Sequence, residues 1–150
     1  MGFLEKNNNE NKIDEETVEQ DWQKFCEEWD IDTNEDEMDE EERNGFKNLR
    51  RQIKRSMKKG RLVYNAGDES FTYKFVKPIE GHGEDGQKIN FHRPAGTAYL
   101  AIDKYKDNQS SHKLQGIIAI CMKKPPKFVS NFDGIDLKVF AGIINLFLSS

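Results

Sequence analysis

From Asp14 onward the apolar residues fall at helical spacing. Val18, Trp22, Phe25, Cys26 and Trp29 sit at i, i+4, i+7, i+8 and i+11, which is one stripe on one helix face. Asp14 is placed to cap this helix, and Glu15 and Glu16 suit the positive end of its dipole. The opposite face is acidic. A stripe with two tryptophans and a phenylalanine either docks on the body of the protein or is held for a partner. A second helix is expected from about Asp39 to Gly60, with Glu40, Glu41 and Glu42 in its first turn and Lys58 and Lys59 in its last. Its apolar stripe is Phe46, Leu49, Ile53 and Met57, which turns Arg50, Arg51, Lys54, Arg55 and Lys58 largely outward.

The period then changes to two. Leu62 to Tyr64, followed by Phe71, Tyr73 and Phe75, reads as a β-hairpin joined through Asn65-Ala66-Gly67-Asp68. A third strand, Ile89 to His92, follows the glycine-rich stretch Gly81 to Gly86. Beyond Pro94 the helical period returns over Ala95 to Tyr105, Ser111 to Met122 and Gly134 to Leu148, with Ser110, Ser111 and Asp133 as candidate caps. Pro125 and Pro126 are expected to interrupt the last two. The final segment is apolar almost all round, so it needs covering. The expected fold class is α+β: two N-terminal helices, a small antiparallel three-stranded meander, then a C-terminal bundle of about three helices. Three regions are expected: a disordered terminus over 1–13, a helical extension over 14–60, and a meander plus helical body over 61–150.

Composition adds a constraint on that picture. With 35% hydrophobic and 33% charged residues in 150, one modest core is the ceiling and some segments cannot offset their ordering entropy. The net charge of −4 hides a sharp segregation. Residues 1–42 hold 18 acids against Lys6, Lys12 and Lys24, whereas residues 43–61 hold nine bases and no acid. The two segments can associate within the chain, or each can meet a partner of opposite sign. No stretch approaches the roughly 20 apolar residues of a membrane span, and the first residues lack the apolar run of a signal peptide, so a cytosolic protein is expected. Cys26 and Cys121 form no CxxC pair, and both are expected to be reduced, ordinary apolar-face residues.

Candidate chemistry is thin. Asp30, Asp32, Asn34, Asp36 and Glu41 match the ligand spacing of an EF-hand calcium loop. Glu35 stands where the sharp turn needs glycine and Glu37 where a hydrophobe belongs, so the expectation is a solvated connector and no metal site. The basic run over 43–61 could neutralise phosphates, but neither a zinc motif nor an RNP-like aromatic strand accompanies it and the adjacent acids compete for the same cations. His82, His92 and His112 are scattered, and GxSxG, Walker A and GxGxxG are all missing. Carboxylates in a solvated arm keep ordinary acidity, whereas general acid–base work needs a buried, perturbed group. A binding protein, without enzymatic activity or cofactor, is the expectation.

Four short stretches carry a family resemblance: Phe75-Val76-Lys77-Pro78-Ile79, Phe91-His92-Arg93-Pro94-Ala95-Gly96, Phe132-Asp133-Gly134-Ile135-Asp136-Leu137 and Leu146-Phe147-Leu148. Over about residues 71–148 the chain resembles the tail assembly chaperones of Mu-like and other contractile-tailed phages and prophages. The resemblance implies a protein of the host cytoplasm that coats the tape measure protein, keeps it soluble during tail morphogenesis and helps bring tail tube subunits to it. A tape measure is a long helical chain with exposed apolar stripes, which a helical groove can cover. The residues expected at that surface are Leu114, Ile117, Ile118, Ile143 and Phe147, with Trp22 and Trp29, and homo-oligomerisation is compatible with the role. Two rivals are a structural protein of the tail or tail tube and a small nucleic-acid-binding regulator acting through 43–61.

Overall fold

The computed structural model describes residues 12–96, 98 and 110–150. Most of the terminus expected at 1–13, and of the helix expected over Ala95 to Tyr105, lies outside them. The elements run α1 (Glu15–Glu28), α2 (Glu40–Lys58), β1 (Leu62–Asn65), β2 (Ser70–Lys74), β3 (Lys88–His92), α3 (Ser110–Met122), α4 (Pro126–Ser130) and α5 (Gly134–Leu148), with 3₁₀ turns at Glu35–Glu37 and Gly83–Gly86. The chain is α+β, as its periodicities indicate.

Helix ends follow the local chemistry. Asp14, Asp39 and Asp133 each cap a helix, accepting from the backbone N–H of Thr17, Glu42 and Ile135. Gly60, at φ +75°, ends α2 in a reversed turn where Arg61 N–H donates to the Ser56 carbonyl and Gly60 N–H to that of Met57. Pro125 and Pro126 interrupt the helical pattern between α3 and α5 as expected, and they also start a short helix of their own. Pro125 is the N-cap and Pro126 the first residue of α4, where a missing N–H costs nothing.

The sheet is an antiparallel meander in the order β1-β2-β3. Register aligns Leu62 with Tyr73 and Ile89, and Tyr64 with Phe71 and Phe91. All six are buried, because alternate residues share a face. The other face is polar apart from the exposed Val63. There Asn65 Nδ2 donates to Ser70 Oγ and Thr72 Oγ1, and Thr72 Oγ1 donates to Asn90 Oδ1.

Helices α1 and α5 cover the apolar face. Phe25 of α1 lies 4.9 Å from Phe71 and 5.9 Å from Tyr64, ring centre to ring centre. Trp29 is stacked 6.1 Å from Phe91 and edge-on 5.8 Å from Phe147. From α5, Phe140 lies 4.9 Å from Tyr73 and 5.0 Å from Phe91. Each such pair stabilises by about 0.5–1.5 kcal/mol beyond the area it buries. α2 packs on α5, where a Cβ at Gly142 would sit 3.6 Å from Leu49 Cδ2. Val18, Phe46, Ile53 and Met57 from the first two helices thus share one hydrophobic cluster with the sheet and with α3, α4 and α5, and the core runs across the boundary expected at 60/61.

One polar group ties these layers together. Asp136, in the first turn of α5, is fully buried. Its carboxylate accepts from the Tyr73 hydroxyl at 2.6 Å and from the backbone N–H groups of Val76 and Lys77 at 2.8 and 3.1 Å. The helix dipole favours a negative charge at this position. Nearby, Gly86 is fixed by a close approach, since a Cβ there would lie 2.1 Å from the Ile79 carbonyl oxygen, which accepts no closer contact than a hydrogen allows.

Replacing Asp136 with Ala strands a buried hydroxyl and two N–H groups. We expect a loss of about 2–4 kcal/mol, read as a lower denaturation midpoint with an unchanged slope in urea. A loss under about 1 kcal/mol would show that water satisfies these donors.

Candidate docking surfaces

The residues expected to face a partner are mostly interior, which corrects that expectation. Trp29, Ile118 and Ile143 are fully buried, Trp22 and Ile117 nearly so. Leu114 and Phe147 are half-buried and pack against the same cluster. The physical reason is that α3 packs on β3, α4 and α5, and α5 packs in turn on α2, while α1 lies against α2 and β1. Trp29 and Phe147 are brought into ring contact, and the Trp29 indole N–H donates to the Glu69 carbonyl at 3.3 Å. Trp22 meets Phe25 edge-on at 5.7 Å, lies 6.3 Å from Phe46 and sits beneath the Lys54 ammonium. The aromatic stripe of α1 therefore docks on the body.

Much of the segregated charge is matched within the chain. Glu15 pairs with Lys58, Glu19 with Lys54, and Glu35 with Lys47 and Arg50. The Lys54 hydrogen bond is the main reason the Glu19 carboxyl is held below its ordinary range. Arg43 donates to the carbonyls of Glu35 and Met38. Arg51, Arg55 and Lys59 have no ion-pair partner among the described residues, and they leave a basic stripe along the outer face of α2.

The stretch with calcium-loop spacing is organised by its own backbone. Asp32 Oδ1 accepts from Asn34 N–H, and Asn34 Oδ1 from Asp36 N–H. Asp30 takes a left-handed φ of 54° at the end of α1, where Ile31 N–H donates to the Cys26 carbonyl. Glu35, in the sixth position, is turned to the cations of α2. Among the described residues no three His, Cys, Asp or Glu side chains are grouped to hold a metal ion, and no helix is long and apolar enough to cross a membrane. Cys26 and Cys121 are buried, and burial pushes both thiols up to about 12.

Two surface features escape the sequence pattern. The first is a groove of about 300 Å³ between α2 and the C-terminal end of α5. Met38, Phe46, Leu49 and Leu146 give it apolar walls, Gly45 opens its floor, and Asp32 and Glu42 stand on its rim. Its end is pinned because Ser150 Oγ accepts from Asp32 N–H and donates to the Leu146 carbonyl. The second is a small exposed apolar projection at the opposite end of α5. Ile135 is 58% exposed and Val76 is exposed beside it, held close by the bond from Val76 N–H to Asp136. Glycine within a helical pattern and a lone methionine among acids were the available signals for the groove.

The stretches that carry the family resemblance, 75–79, 91–96, 132–137 and 146–148, meet in two pairs, the first with the third and the second with the fourth, and Phe140 bridges the pairs. Phe75 meets Phe132 at 5.0 Å, and Lys77 pairs with Asp133. Val76 and Lys77 donate to Asp136, Phe91 meets Phe140, and the Arg93 guanidinium lies over the Phe147 ring. Compared with known families, curated proteins and solved structures, the chain matches none of them.

Glu28 supplies a test of the α1 contact. Its carboxylate accepts from the Tyr64 hydroxyl at 2.6 Å and from Gly67 N–H at 2.8 Å, and these bonds, Tyr64 foremost, hold its carboxyl below the ordinary range. The folded state thus binds its proton less readily than the unfolded chain does, so this stability is present at neutral pH and is lost as pH falls through the carboxylate range. We expect Glu28→Gln to flatten the fall in denaturation midpoint between about pH 7 and pH 3. An unchanged pH profile would contradict the contact.

Proposed function

We propose that this protein is a tail assembly chaperone of a contractile-tailed phage or prophage, a non-enzymatic binding protein acting in the host cytoplasm on the tape measure protein. The observation that carries this reading is the contact among the resembling stretches. Sequence matches scattered over some 70 residues would be weak if they lay apart. They gain weight because Lys77 meets both Asp133 and Asp136, and because Phe75 and Phe91 belong to one hydrophobic cluster against which Phe132 and Phe147 pack. A shared scaffold imposes that kind of joint constraint.

Two further features suit the role. A chaperone for a long amphipathic partner needs an apolar recess, and the groove between α2 and α5 has one of a size for a helix side chain. It also has to remain dispersed while its partner exposes apolar surface, and the acidic rim and N-terminal helix favour this. A buried aromatic core with docked helices makes the body rigid enough to present the recess without refolding.

Co-expression with the tape measure gene of the same cluster tests the proposal. The expected result is a soluble tape measure that co-purifies with this protein, and loss of this protein from mature particles. A tape measure that stays insoluble with nothing bound would overturn the reading, and presence of the protein in purified virions would favour a structural tail component.

A further inference from the structure

The groove and the projection lie on one helix and have complementary character. At one end of α5, Ile135 and Val76 stand out from the surface with the exposed Lys138 one turn along, while Lys77, its side chain 75% exposed, is ion-paired with Asp133. At the other end the groove is apolar inside, with the carboxylates of Asp32 and Glu42 on its rim and no cation paired to either among the described residues. Thirteen helical residues lie between Ile135 and the C-cap Ser149, about 20 Å along the axis. Within one molecule the projection cannot reach the groove.

We infer that the cation-flanked projection of one copy seats in the acid-rimmed groove of a second copy, so that molecules join head to tail along the direction of α5. The contact uses different patches on its two sides, so it is heterologous and leaves one free groove and one free projection at the ends of each assembly. A groove filled by a second copy is closed to the tape measure protein, so self-association opposes the partner binding proposed above. Stacking the N-terminal end of one α5 on the C-terminal end of the next also aligns the two helix dipoles favourably.

Gly45 sharpens the inference. In the interior of α2 a glycine destabilises the helix by comparison with a larger residue, and nothing lies within 4 Å of a Cβ built there. Packing inside the chain gives no reason for the missing side chain. Room in the groove floor does. The interface is small, of the class that associates weakly, so its assembly depends on concentration, and salt weakens it by screening Lys138 from Asp32 and Glu42.

Sedimentation velocity on the full chain, at concentrations up to about 1 mM, tests this with two variants that preserve the fold. Gly45→Leu fills the groove and strengthens α2. Ile135→Glu removes the projection, and its charge suits the first turn of α5 while opposing the acidic rim. The wild type is expected to grow in mass with concentration beyond a dimer and to shrink in high salt, while each variant alone stays monomeric. An equal mixture of the two is expected to form a one-to-one dimer that does not extend, because one supplies the only projection and the other the only groove. A wild type that stays monomeric or stops at a dimer, a variant that assembles like the wild type, or a mixture no heavier than its parts would each overturn the inference.

Discussion

The buried carboxylate of Asp136 is the constraint on which the rest of the architecture depends. It takes three donors from one continuous stretch, the Tyr73 hydroxyl and the Val76 and Lys77 amides. A buried charge is tolerable only when its hydrogen-bonding capacity is met. Once those bonds form, the end of β2 and the first turn of α5 have a single relative position. Phe140, one turn further along α5, then falls against Tyr73 and Phe91, and the apolar face of α5 is committed to the sheet. Non-directional burial would allow the helix to slide or rotate. The carboxylate fixes its register.

The N-terminal helices depend on that placement. Phe25 and Trp29 reach rings contributed by β1, β2, β3 and α5, so α1 finds a complete surface only when the sheet and α5 are already joined. Charge then adds selectivity more than strength. The ion pairs from Glu15 and Glu19 to α2 are partly solvated, and such pairs contribute little individually. They set which face of α2 lies against α1, and they leave Arg51, Arg55 and Lys59 outward.

Much of this was legible in the sequence because it is local. Helix α1 is marked by an apolar stripe after an aspartate, α2 by acids at its start and Gly60 at its end, and the meander by alternation around Asn65 to Asp68. The less legible features depend on distant partners. Asp136 looks like any acid in a helix's first turn, since its donors lie some 60 residues earlier. Ile117, Ile118 and Ile143 read as surface to be covered because their cover, β3 and the neighbouring helices, comes from segments that pattern alone kept separate. Pro126 reads as a breaker, although its ring suits the first helical position. The groove draws its walls from Met38, Phe46 and Leu146, and no short window contains all three.

The functional reading inherits this structure. The groove formed jointly by α2 and α5 exists only while the carboxylate contact holds the layers in register, so the partner binding proposed for it is coupled to folding. The most direct measurement is native-state hydrogen exchange followed residue by residue. The Val76 and Lys77 amides, together with that of Trp29 at the end of α1, are expected to exchange only through global unfolding, with one shared free energy and one dependence on denaturant. If Val76 and Lys77 exchange early while the sheet stays protected, or if α1 opens on its own at a lower free energy, the carboxylate does not hold the fold together as argued.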